Sequence, residues 1–172
     1  MRPRAARWLA LGFGSGLAPV APGTVGTLWA WVAWLALLAP LGGAAQLAAI
    51  VAGLAIGPWA CRRTADDLGV QDHGAIVWDE IVAFWIVLWV VTPAPWWVQL
   101  LAFGLFRYFD AAKPGPVAWA DQRFKRRLVD GSPEPIGHRQ GFGILFDDLV
   151  AALCTLLVLA AVITLTRSLW NS

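Results

Sequence analysis

Three small groups of acidic residues stand where long apolar runs of the chain begin or end. Asp79 and Glu80 open one run, Asp110 closes the next, and Asp147 and Asp148 open the last. A charged carboxylate at membrane depth costs about 2.5–3.5 kcal/mol, so each needs a partner or a purpose. Hard cations such as Mg²⁺ take oxygen ligands, chiefly carboxylates together with phosphate. All five acids are therefore candidate metal ligands, and the candidate catalytic residues among them are Asp79, Glu80, Asp110 and Asp148.

Two basic residues also lie at the end of an apolar run, and their side chains are suited to binding phosphate. Arg107 and Asp110 are three residues apart, which places them on one face of a continuing helix, and Lys113 follows. The planar fork of an arginine binds two phosphate oxygens at once, so Arg107 and Lys113 are candidate substrate-binding residues. A simpler interpretation is an ion pair at the membrane surface, with the acids at helix starts favoured by the macrodipole or by capping.

A glycine-rich stretch precedes the first apolar run, in the segments 14–16 and 21–26. Thr24 is predicted to cap the following helix, and glycines let backbone N–H groups approach an anion closely. Gly23, Thr24 and Gly26 are therefore candidate substrate-binding positions. The alternative is a flexible loop that only leads into a capped helix.

The composition indicates that lipid surrounds the elements that carry these residues. Hydrophobic residues make up 59% and charged residues 14% of 172 positions, against about 45–50% and about 25% in soluble domains. The 12 tryptophans point the same way, because Trp favours the bilayer interface. The net charge of +2 gives no argument for nucleic-acid binding.

Five apolar runs predict an all-α membrane bundle of four or five helices in a single domain covering residues 1–172. Backbone in lipid must be hydrogen-bonded internally, and these runs lack strand alternation. Only the second and fifth approach the ~20 residues that cross a bilayer. The third and fourth either cross or form a re-entrant hairpin. The runs are Val25–Ala39, Ala44–Cys61, Ile76–Val91, Trp96–Phe109 and Leu149–Thr166.

The charged residues separate to one side when the runs are threaded back and forth. Twelve of the 13 Lys and Arg residues, all but Arg167, fall on that side together with all 11 acids. The positive-inside rule predicts that this side faces the cytoplasm. The segment Ala120–Gly141 is predicted to be a polar loop with a short surface helix around Arg123–Leu128.

Together these pieces resemble the bacterial phosphatidylglycerophosphatase A family over roughly residues 12–155. The specific parts are the string Arg107-Tyr-Phe-Asp-x-x-Lys-Pro114 and the late pair Asp147-Asp148, in order with the glycine segments and with Asp79-Glu80. The resemblance implies a multi-pass, Mg²⁺-dependent enzyme of the bacterial inner membrane. It would act on a phospholipid substrate, converting phosphatidylglycerophosphate to phosphatidylglycerol.

Phosphate-monoester hydrolysis requires charge neutralisation on the phosphoryl oxygens and a nucleophile in line with the bond that breaks. The sequence leaves open whether that nucleophile is a metal-activated water or an aspartate. One rival is an alcohol phosphatidyltransferase, whose longer, widely spaced aspartate pattern is not found. The other is a small transporter or assembly protein, which predicts ionisable residues near mid-run, where this chain has none.

Overall fold

Helices form nearly all of the computed structural model, which describes residues 3–69, 73–123, 128–129, 132–133 and 138–170. Leu128–Val129 (β1) and Ser132–Pro133 (β2) pair as a two-residue antiparallel ladder. The predicted all-α architecture is confirmed, and each apolar run maps onto one of five longer helices. In chain order the helices are α1 (Pro3–Ala10), a 3₁₀ segment (Gly12–Leu17), α2 (Pro22–Ala33) continued by a π-helical turn (Trp34–Leu38), α3 (Gly43–Leu68), α4 (Trp78–Val91), α5 (Trp96–Ala112), α6 (Pro116–Arg123) and α7 (His138–Trp170).

Two helices, α3 and α7, are long and apolar enough to cross a membrane. In the most apolar 18-residue stretch of each helix, only 28% (α3) and 22% (α7) is buried inside the protein. A core helix of a soluble protein would be mostly buried, so these exposed apolar surfaces indicate a membrane protein. Helix α4 has 14 residues, which at 1.5 Å per residue is about 21 Å and shorter than the ~30 Å hydrocarbon core.

Helix α4 lies at the centre of the bundle and packs against α2, α3, α5 and α7. Val82, Phe84 and Leu88 on this helix are fully buried. Gly53 of α3 permits close packing here, because a Cβ at that position would lie 2.8 Å from Val82 Cγ2. The indole N–H of Trp78 donates to the Gly53 carbonyl over 3.2 Å. These contacts fix the first turn of α4, where Asp79 and Glu80 lie.

The last helix begins earlier than its apolar run indicates. The sequence pattern places Asp147 and Asp148 at a helix start, but α7 begins at His138 and both acids lie in its third turn. A helical glycine costs only about 1 kcal/mol relative to alanine. Here Gly143, Ile144 and Leu145 are buried, so packing of this turn outweighs the weak helix propensity. A capping role for Asp147 and Asp148 is therefore wrong.

One further local prediction differs from the structure, and another falls largely outside the described residues. Thr24 is not the cap of α2, because the helix starts at Pro22 after Ala21 in a left-handed conformation (φ 47°). Proline at the first helical position has its φ preset and needs no partner for an N–H, so the helix starts there without Thr24. The helix expected around Arg123–Leu128 falls largely on residues 124–127, outside the described residues, and the helix present is α6, which ends at Arg123.

Candidate active site

Arg107 ties three helices together at the end of the bundle that carries the acids. Its Nη1 lies 3.1 Å from Glu80 Oε2 on α4 and donates to Thr27 Oγ1 on α2 over 3.3 Å. It also forms an ion pair with Asp110, three residues further along α5. The guanidinium thus neutralises two carboxylates, and its side chain is still 17% exposed.

Lys113 joins the other half of the site. It follows the last residue of α5, in a left-handed conformation (φ 45°) that a non-glycine residue rarely adopts. Its Nζ lies 2.7 Å from Asp121 Oδ1 on α6 and 2.6 Å from Asp147 Oδ2 on α7. Burial alone would lower the pKa of Lys113, but hydrogen bonds and charges from Asp121 and Asp147 outweigh it and raise the pKa above its usual value. The ammonium is therefore charged at neutral pH.

Four aspartates lie deeper in the same face and have little contact with solvent. Asp79, Asp110, Asp147 and Asp148 are each between 3% and 8% exposed. Asp148 lies beside Asp110, and the charges of Asp110, Asp79 and Asp147 act on it. Neighbouring negative charges repel each other. Two buried carboxyl groups therefore stay together only when a proton or a cation lies between them. The Asp110–Asp148 pair therefore concentrates negative charge on hard oxygen donors.

Gly23 is the position where the start of α2 approaches these side chains most closely. A Cβ at Gly23 would collide with the Glu80 carboxylate and would lie 2.9 Å from Arg107 Nη2. The hydroxyl of Thr27 donates to the Gly23 carbonyl over 2.8 Å, which fixes this turn against Glu80 and Arg107. Only glycine fits here without displacing both charged groups.

We expect Gly23→Ala to reduce activity by about 10- to 100-fold. The added methyl group would displace the Glu80 and Arg107 side chains, and a displacement of about 1 Å at a reacting site lowers the rate by a factor of this order. The variant should fold, since the added methyl group displaces charged side chains rather than core residues. Gly104→Ala on α5 is the matched control, because a Cβ there meets nothing within 4 Å. Equal reaction rates for the two variants would show that the Gly23 contact does not position Glu80 and Arg107.

The structure brings most of the predicted site residues to one face. Glu80, Arg107 and Asp110 lie where α2, α4 and α5 meet. Asp148 lies beside Asp110, and the charge of Asp79 acts on Asp148. Lys113 and Asp147 form the neighbouring group. Gly26 lies against α4, where a Cβ would be 2.8 Å from Val77 Cβ, and Thr24 is partly buried in the first turn of α2.

Two residues of this face carry no strong signal in the sequence. Thr27 is fully buried and donates its hydroxyl to Gly23, with Glu80 Oε2 at 3.4 Å and Arg107 Nη1 at 3.3 Å. Its only signal is the four-residue spacing from Gly23, which places both on one helical face. Asp121 on α6 binds Lys113 across the break between α5 and α6. Eight residues along one continuous helix would separate the two by about 12 Å, so the contact could not be predicted from their spacing.

In the described part of the chain, no three Asp, Glu, His or Cys side chains form a ready-made set of metal ligands. Glu80 is turned to Arg107 and Asp147 to Lys113. The five acids predicted as ligands are therefore near one another without converging on one point. The pair that offers adjacent carboxyl oxygens is Asp110 and Asp148.

Comparisons with known proteins agree over most of the chain. Residues 8–163 match the family model for phosphatidylglycerophosphatase A. The chain is 39% identical over 154 residues to phosphatidylglycerophosphatase A of Haemophilus influenzae, covering 90% of the chain and 86% of that protein. It is also 39% identical over 145 residues to phosphatidylglycerophosphatase A of Escherichia coli, covering 84% and 76%. A third relative, from Bacteroides thetaiotaomicron, is 33% identical over 158 residues (88% and 89%) and carries the provisional name phosphatidylinositol-3-phosphatase. No solved structure matches.

Proposed function

The chain belongs to the phosphatidylglycerophosphatase A family and is a phosphatase, and we propose that its substrate is phosphatidylglycerophosphate. Water would cleave the terminal phosphate monoester, giving phosphatidylglycerol and inorganic phosphate. The observation that carries this proposal is the pair of cations at the acidic face. Arg107 and Lys113 are held by carboxylates, yet their side chains are 17% and 28% exposed.

A phosphate monoester carries up to two negative charges, and its hydrolysis is among the slowest uncatalysed reactions. Arg107 offers planar N–H donors and Lys113 a compact charge, so together they can hold the equatorial phosphoryl oxygens. Glu80, Asp110 and Thr27 fix the guanidinium from three directions before substrate arrives. Preorganised donors of this kind lose little free energy to rearrangement during the reaction.

We also propose that the reaction requires Mg²⁺, held at Asp110 and Asp148. The fit rests on donor chemistry: both side chains are buried, lie next to each other and offer hard oxygens. Mg²⁺ in phosphoryl-transfer sites is usually held by one or two carboxylates together with phosphate and water, so three converged protein ligands are not needed. When bound, the ion would neutralise negative charge on the phosphoryl oxygens. Asp79 and Asp147 add to the negative charge that attracts a cation.

We place this face at the cytoplasmic surface of the bacterial inner membrane, with the chain crossing the bilayer several times. The support is the distribution of charge, since 12 of 13 Lys and Arg residues lie on the side that carries the site in the threaded sequence. The lipid would present its headgroup at this surface while its acyl chains stay in the bilayer. A reporter fused after Pro95 should be periplasmic if α4 and α5 cross, and cytoplasmic if they form a re-entrant hairpin.

Substrate selectivity tests the proposed function. Purified enzyme in neutral detergent is given phosphatidylglycerophosphate, phosphatidic acid or phosphatidylinositol 3-phosphate at equal mole fractions, and inorganic phosphate is measured. We expect the highest kcat/KM for phosphatidylglycerophosphate. A higher value for either other lipid would assign a different substrate to the same phosphatase site.

We expect Asp121→Asn to lower kcat/KM by about 10- to 100-fold, mainly through KM. Asp121 holds Lys113 by a charge-assisted hydrogen bond, and such bonds contribute about 1.5–3 kcal/mol. Asp121 is thus a positioning residue that acts through Lys113. The conservative variant Asp121→Glu should recover part of the loss, whereas Asp66→Asn, at an exposed position on α3, should have wild-type kinetics. An Asp121→Asn enzyme with unchanged KM would remove Asp121 from this role.

A further inference from the structure

A small cavity lies between α1 and the 3₁₀ segment that follows it. Its volume is about 280 Å³, and it is lined by Arg4, Arg7, Trp8, Leu11, Gly14 and Leu17. We call these six residues the α1 groove. None of them belongs to the group around Arg107 and Lys113. The groove combines two cations with an apolar wall, which is an unusual pairing for a surface that only faces water.

Helix α1 has the character of a helix that lies in the membrane interface. Ala6 and Ala10 are buried where α1 packs against α3, which anchors the helix to the bundle. On the outside of α1, Trp8 is 60% exposed, and Leu17 of the following 3₁₀ segment is 64% exposed. A basic, strongly amphipathic helix with an exposed Trp is typical of helices that lie at the level of the lipid headgroups.

The charges of the groove indicate what it binds. Arg4 and Arg7 are three residues apart, so both guanidinium groups are on one side of α1. Among the described residues neither forms an ion pair, whereas Arg63 and Arg107 both do. Two arginines at headgroup level attract anionic lipid, and their planar forks fit phosphate oxygens. A cavity of this volume accepts a headgroup, and the Trp8, Leu11 and Leu17 side chains continue it with apolar surface suited to acyl chains.

We propose that the α1 groove binds one anionic phospholipid of the surrounding bilayer through its phosphodiester group. Arg4 and Arg7 contact the phosphate, and Trp8, Leu11 and Leu17 contact the first part of the acyl chains. The site is separate from the monoester site around Arg107, and it does not depend on the proposed reaction because it is measured without turnover. Its function is to retain an anionic lipid beside the 3₁₀ segment that leads into α2.

The test counts bound lipid by native mass spectrometry of the full chain in neutral detergent, titrated with phosphatidylglycerol or phosphatidylcholine. We expect wild-type protein to retain phosphatidylglycerol more tightly than phosphatidylcholine. The double variant Arg4→Gln/Arg7→Gln should bind one phosphatidylglycerol fewer, with an affinity loss on the order of 10-fold at that site. Arg63→Gln, at an exposed arginine of α3, is the matched control and should keep wild-type binding.

Further arms separate the alternatives. The charge-conserving variant Arg4→Lys/Arg7→Lys should keep most of the phosphatidylglycerol, and melting temperatures should show that all variants fold. Equal retention of phosphatidylcholine by wild-type protein would overturn the proposal without any variant. Unchanged binding in Arg4→Gln/Arg7→Gln would overturn it as well. Displacement by soluble glycerophosphoglycerol at the same concentration as the lipid would assign the groove to a water-soluble diester instead.

Discussion

Asp148→Asn is expected to lower phosphate release from the lipid substrate by about 10²- to 10⁴-fold, the range for loss of a side chain that acts directly in the reaction. Asp148 is 3% exposed and lies next to Asp110, Asp79 and Asp147. The amide keeps the size of the side chain but removes its charge and replaces one of its two hard carboxyl oxygens with a nitrogen. Asp110→Asn should have a similar effect, because the same pair is disrupted from its other side.

A readout of stability distinguishes this catalytic role from a structural one. Removing one of several mutually repelling carboxylates relieves repulsion, so in the presence of a chelator Asp148→Asn should melt no lower than wild type. The matched control is Asp67→Asn, whose carboxylate is 37% exposed in an ion pair with Arg63, and it should retain full activity. An Asp148→Asn protein with wild-type turnover would remove Asp148 from the site. An inactive protein that melts well below wild type would assign the residue to folding.

Arg107→Lys should reduce kcat/KM by about 10²- to 10³-fold, the usual effect of losing one preorganised donor to a developing charge. Lysine keeps the positive charge but cannot reproduce the planar fork that contacts Thr27, Glu80 and Asp110 together. Glu80 and Asp110 would then share a single mobile ammonium group. The rate is measured over a range of substrate mole fractions, so that effects on kcat and KM separate.

Arg63→Lys is the matched control for this substitution. Arg63 is 47% exposed and pairs only loosely with Asp67, at 3.8 Å, so the control should behave as wild type. If Arg107→Lys retained a tenth or more of wild-type kcat/KM, a positive charge alone would be sufficient for catalysis. The planar geometry of the guanidinium would then make no large contribution to the rate. Phosphate binding at position 107 would then require only a positive charge.

The arrangement of helices was largely predictable from hydrophobicity and charge. The predicted run Trp96–Phe109 corresponds to α5, which ends three residues later at Ala112. A chain segment surrounded by lipid must satisfy its backbone hydrogen bonds internally, and a helix does so within one segment. The spacing of Arg107 and Asp110 predicted their ion pair, since a three-residue separation puts both on one helical face. The start of α7 was not predictable, because burial of Ile144 and Leu145 depends on the neighbouring helices.

The partners of each charged group were less accessible to sequence reasoning. Lys113 could be assigned to phosphate by type, but its contacts with Asp121 and Asp147 join three separate elements. Nothing in the sequence around Thr27 distinguishes it from any other residue of α2. Only the packing of α2 against α4 and α5 brings its hydroxyl to Glu80 and Arg107. Local patterns identify which residues are costly to bury; tertiary packing decides which of them meet.

Product analysis tests most directly whether this face hydrolyses the phosphate monoester of phosphatidylglycerophosphate. Purified enzyme is incubated with phosphatidylglycerophosphate in neutral detergent, with Mg²⁺ or with a chelator, and both products are quantified. We expect one inorganic phosphate for each phosphatidylglycerol formed, with no reaction in chelator and recovery when Mg²⁺ is restored. Absence of inorganic phosphate under all conditions, or release of glycerol phosphates by cleavage of the diester, would contradict it.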